Sequence, residues 1–80
     1  MNHLQEMFLA ELKSDKKATI LQYAKLFKKY TQLSIEEEIN NGASKARADA
    51  MGHYYAIATL TDFIGSDKTI DRIVKIQESL

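Results

Sequence analysis

Proline is absent from all 80 residues of this chain, and glycine occurs only at Gly42, Gly52 and Gly65. A sheet protein of this size needs many tight turns, and tight turns draw heavily on those two residues. The chain is therefore restricted to a few long elements. Alanine, leucine, lysine, glutamate and glutamine are plentiful, and all five are good helix formers. The expected class is all-α, a small helical bundle.

Apolar periodicity places the helices. Leu4, Phe8 and Leu12 recur every four residues with Met7 beside them, which predicts a first helix over about 2–13. Ser14 and Asp15 are the capping-type residues that follow. A second helix over about 15–32 carries Ile20, Tyr23, Phe27 and Tyr30 on one side and Lys17, Lys25, Lys28 and Lys29 on the other. Ser34 followed by Ile35, Glu36 and Glu37 matches a capping box, and with Glu38 it sets three acids at a positive helix end. The third helix is expected to start there. Asn40, Asn41 and Gly42 form a stop signal and Ser44 a fresh cap. Yet Ile35, Ile39, Ala43, Ala46, Ala50, His53, Ile57, Leu60 and Ile64 hold one helical phase straight through it. The phase predicts one long central helix over about 35–64, some 45 Å in length. Gly65 caps it, and Ser66 or Asp67 opens a last helix bearing Ile70, Ile73, Val74 and Leu80.

The third helix shows a second stripe: Ala48, Met51, Tyr55 and Ala58, running on to Asp62. A helix apolar on two sides is enclosed between layers or shared with a partner. Ala48, Gly52 and Ala56 also lie one turn apart, a smooth strip where another backbone can come close. A chain this short buries only roughly 60–65% of its unfolded surface, so partner subunits, metals or disulfides often supplement small domains. With no cysteine and only His3 and His53 as histidines, self-association is the expected supplement. The expectation is one domain over 1–80, working as a homodimer.

Formal charge is balanced, 11 basic side chains against 11 acidic. No basic run precedes an apolar stretch at the start, and no segment nears the roughly 18 apolar residues of a membrane span. A cytoplasmic setting without a membrane partner is expected.

Catalytic groups do not converge in the sequence. His53 falls on the main seam, where a core or interface histidine bonded to a carbonyl is the plainer reading than an acid–base group or pH switch. Glu36, Glu37 and Glu38 point about 100° apart on a helix and do not form a ligand set, even with His3. There is no phosphate loop, serine–histidine pairing or carboxylate pair, so neither an enzyme nor a cofactor or metal is expected. The expected function is non-catalytic binding by a small helical adaptor, inhibitor or regulator acting through protein–protein contact. Its contact residues would be Met51, Gly52, Tyr54, Tyr55 and Ala58.

The alternative is a DNA-binding transcriptional or replication regulator. Residues 1–33 carry six lysines against Glu6, Glu11 and Asp15, a net of +3, and a lysine-rich face in a dimer suits phosphates. Residues 33–45 also resemble the first helix and turn of a helix-turn-helix, with Gly42, Ala43 and the Ser44 cap carrying the likeness. Glu38 departs from the small residue that the motif needs. Lys17, Lys25, Lys28, Lys29, Lys45 and Arg47 are the residues that such a reading assigns to nucleic acid.

Overall fold

In the computed structural model, which describes residues 2–14 and 17–80, four α-helices follow one another: α1 His3–Ser14, α2 Ile20–Asn40, α3 Lys45–Ile64 and α4 Asp67–Glu78. Strands do not occur among the described residues. Each helix is framed by chemistry readable in its flanks. Asn2 and Gln5 exchange two side chain–backbone hydrogen bonds, of 2.9 and 3.2 Å, at the start of α1. Thr19 and Gln22 do the same for α2, a true capping box. Ser44 accepts from the Arg47 amide at α3, and Ser66 from the Thr69 amide at α4.

Two boundaries inside the chain differ from the sequence expectation, besides the start of α2. The helix opening at Ser34 does not exist, because α2 runs through it to Asn40. Ser34 lies on the buried face of α2 with Phe27 and Thr31. Glu36, Glu37 and Glu38 consequently sit near the C-terminal end of α2, where the dipole disfavours acids. Asp15, where this helix is expected to start, and Lys16 lie outside the described residues, but Lys17, Ala18 and Thr19 are not helical: α2 begins later than expected, at Ile20, because Thr19 caps it.

The second difference is larger. The long central helix over 35–64 is broken into two. At the break, Gly42 adopts φ 95°; its amide bonds the Ile39 carbonyl, and the Ala43 amide reaches back to Glu38, both at 3.0 Å. These two bonds form a Schellman motif, which ends a helix through a left-handed residue that glycine adopts without strain. Ser44 then restarts the chain. The stop signal at Asn40, Asn41 and Gly42 therefore outweighs the continuous phase. Helix α3 closes on Gly65 at φ 71°, whose amide bonds the Thr61 carbonyl, as its position in the sequence implies.

The central element is α2, which packs against the other three helices and most extensively against α3. Phe8, Leu12, Phe27, Leu60 and Ile73 are fully buried between them. Phe8 stacks on Tyr30 with ring centres 4.9 Å apart, and Tyr23 meets Phe63 edge-on. The α2–α3 seam is tight because α3 presents small residues there: Ala48, Gly52 and Ala56 are all buried. A Cβ on Gly52 would stand 2.5 Å from Ile35 Cγ1 and 3.0 Å from the Thr31 carbonyl oxygen. The close backbone approach expected of this strip is real, and α2 of the same chain makes it.

Candidate functional site: the outer face of α3

Because α3 buries Ala48, Gly52, Ala56, Thr59 and Leu60, its other side faces outward. The main seam expected from the sequence lies largely on that side: Ala46, Ala50, His53 and Ile57 are exposed. Tyr54 is 64% exposed and Ile57 39%. Tyr54, Ile57, Ala58, Thr61 and Asp62 line an open groove of about 360 Å³. From Arg47 in the first turn to Asp62 in the last, the strip through Ala50, Met51, Tyr54, Ile57, Ala58 and Thr61 bears no charge. Most surface helices carry charged residues on the side turned to water. This strip carries them only at its two ends; Asp49, the other acid of α3, is half-buried off the strip.

Of the residues expected to contact a partner, the structure brings Met51, Tyr54, Tyr55 and Ala58 together on or beside this strip. Met51, Tyr55 and Ala58 are half-buried on its flank. The Tyr54 and Tyr55 rings meet edge-on with centres 5.8 Å apart. Gly52 is different: it lies beneath α2 and is not at the surface. Ile57, expected in the core seam, stands exposed on the same strip. Its signal was present in the neighbouring alanines, which fit a buried or an exposed face equally.

His53 is exposed, not buried in the seam, and its Nδ1 lies 2.8 Å from the carbonyl oxygen of Asp49 on its own helix. His3 instead reaches across to Glu37, with Nε2 3.5 Å from Oε2. No group of three histidine, aspartate or glutamate side chains comes together among the described residues.

Two of the lysines are held by partners in the chain. Lys29 pairs with Glu11 at 3.2 Å and lies over the Tyr30 ring. Lys28 donates to the Leu80 carbonyl oxygen. Lys25 lines a second open groove with Glu11, Ser14, Ala18, Gln22 and Leu26, between the end of α1 and the start of α2. Lys17 is exposed, and Lys45 and Arg47 are exposed in the first turn of α3. The most perturbed ionisable pair joins α1 to α2. The Tyr30 hydroxyl donates to the Glu11 carboxylate. That bond, with Lys29 alongside, holds the Glu11 carboxyl below its ordinary pKa against the opposing effect of burial. Burial, then the hydrogen bond to Glu11, pushes the Tyr30 phenol up to about 12. The pair is a strut between helices.

Among the described residues, fold and surface make a small four-helix bundle with one outward helix face charged only at its ends. Comparison of the chain with protein-family models, with curated proteins and with solved structures finds no match in any of the three. No helix among the described residues is long and apolar enough to cross a membrane.

Proposed function

We propose that this chain is a non-catalytic helical binding protein, an adaptor, inhibitor or regulator that acts through protein–protein contact and works as a homodimer. The observation that carries the reading is the outer face of α3, where Tyr54 and Ile57 stand exposed on a strip without charge. Aromatic anchors in an uncharged centre with charges at the rim are the usual make-up of a binding surface. Its flank holds Met51, Tyr55 and Ala58, so the face is continuous with residues already half-buried.

A second reading, a DNA-binding regulator, is favoured by one observation. The chain does break at Gly42, as a helix-turn-helix requires, and α3 starts just after the turn with Lys45 and Arg47 exposed. The remainder of the outward α3 surface is poor in groups that bond base edges or phosphates.

Affinity capture from a host lysate, with and without nuclease, tests both readings. The wild-type chain should retain a protein partner that survives nuclease and is lost with Ile57→Glu or Tyr54→Ala. Lys25→Glu and Lys28→Glu should leave it bound. Retention that depends on nucleic acid, falls steeply with salt and is lost with the lysine variants would overturn the protein-binding reading in favour of the second.

A further inference from the structure

The outer face of α3 carries its charges in a pattern that selects its own occupant. Arg47 stands at one end of the uncharged strip and Asp62 at the other, about 22 Å apart at 1.5 Å per residue. Both are exposed. Neither forms an ion pair among the described residues. The midpoint between them falls at Tyr54 and Tyr55. Tyr54 is the most exposed large apolar side chain on the face.

The two charges are also misplaced for the helix that bears them. A helix start favours acids and a helix end favours bases. Helix α3 has a basic first turn, with Lys45 and Arg47, and an acidic residue in its last turn, Asp62. Within one chain this arrangement costs stability at both ends. Against a second helix running the opposite way, it becomes complementary.

We propose that the outer face of α3 is a self-complementary docking surface for a second copy of this chain. The two α3 helices pack antiparallel about a two-fold axis near Tyr54, and Arg47 of each copy pairs with Asp62 of the other. The inference rests on the binding role assigned to this face above and names the partner and register. A two-fold contact uses one patch twice. The axis therefore brings the Tyr54 rings to the centre, sets Ala50 of one copy near Ala58 of the other, and closes each end with an ion pair. The small residues at 50 and 58 allow the helices to approach within the roughly 8–10 Å usual for packed pairs. One helix from each copy makes an interface at the small end of the specific range, so dissociation in the micromolar range is expected.

Charge reversal with sedimentation equilibrium tests the register. Arg47→Asp alone, or Asp62→Arg alone, sets like charges against each other twice in every dimer. Each should raise the dissociation constant at least about tenfold. An equimolar mixture of the two single variants restores both pairs, and should form a heterodimer at least as tight as the wild-type dimer. The doubly reversed chain should pair with itself and not with wild type. Each reversal places a charge where the helix dipole favours it, so circular dichroism should show both single variants folded; the mixture controls for this too, since unfolded chains would not recover on mixing. A wild-type dimer insensitive to both reversals, or a mixture no tighter than the single variants, would overturn the antiparallel register while leaving the protein-binding role in place. A wild-type chain that stays monomeric at tens of micromolar would overturn the pairing altogether, and the capture experiment on Ile57 and Tyr54 then reads the binding role independently.

Discussion

Gly52 is held to glycine by its neighbours: a methyl group there would press into Ile35 and the Thr31 carbonyl oxygen. Alanine is the better helix former by roughly 1 kcal/mol, so the sign of a Gly52→Ala change separates propensity from packing. Overpacking a tight seam costs about 1–3 kcal/mol. The expected outcome is net destabilisation in chemical denaturation; an increase in stability would show that α2 and α3 have room to spare. The neighbouring Thr31 is 4% exposed, and its hydroxyl has no hydrogen-bond partner. Replacing such a group by an isosteric methyl removes a desolvation cost, so Thr31→Val should be neutral or stabilising by about 1 kcal/mol. A marked loss in the same measurement would mean that the hydroxyl is bonded after all.

The Glu11–Tyr30 pair makes a further residue-scale prediction, with a sign for each partner. Folding lowers the Glu11 pKa, so its contribution is present above the unfolded carboxyl value and is lost as pH falls through the folded one. Folding raises the Tyr30 pKa to about 12. Its contribution is complete below the unfolded phenol value of about 10 and is lost as pH rises towards 12. Tyr30→Phe keeps the stack on Phe8 but removes the hydroxyl. In an NMR titration of the variant, Glu11 should move up towards the ordinary carboxylate range. An unmoved Glu11 would contradict the assigned cause.

At the scale of elements, the break between α2 and α3 rests on Gly42. Gly42→Ala forces a Cβ into a left-handed conformation and should lower stability by about 1 kcal/mol, measured by thermal unfolding. An unchanged midpoint would mean that the Schellman turn is not required. Much of the element order was legible beforehand: α1 from Leu4, Phe8 and Leu12, the α3 end from Gly65, and α4 from Ser66, Ile70 and Ile73. Two features were not. Ser34 to Glu37 satisfies a capping box locally, and so does Thr19 to Gln22. Only tertiary packing decides between them, and it buries Ser34. The apparent continuity from 35 to 64 passed through Ala43, Ala46 and Ala50, and alanine fits either side of a helix. Those residues carried little phase information, whereas Asn40, Asn41 and Gly42 carried a specific conformational one. The same ambiguity turned much of α3 around, so that Ala46, Ala50, His53 and Ile57 of its expected core seam face outward while Leu60 stays buried. Of the candidate contact residues, Tyr54 and Tyr55 were legible as large side chains outside the seam. Ile57 was not, because its placement depends on which side of α3 meets α2.

For the molecule as a whole, the four helices among the described residues bury one core and leave one helix face uncovered, with charge only at its two ends. In the proposed account that face is where the protein works, through Tyr54 and Ile57, and where a second copy sits. A dilution series followed by residue-resolved amide shifts in ¹⁵N-labelled protein reads this directly. The account predicts concentration-dependent shifts centred on Tyr54 and Ile57, reaching Arg47 and Asp62, with the exposed lysines of α2 and the surface of α4 unmoved. Shifts concentrated on α2 or α4, or none over the range from micromolar to millimolar, would contradict it.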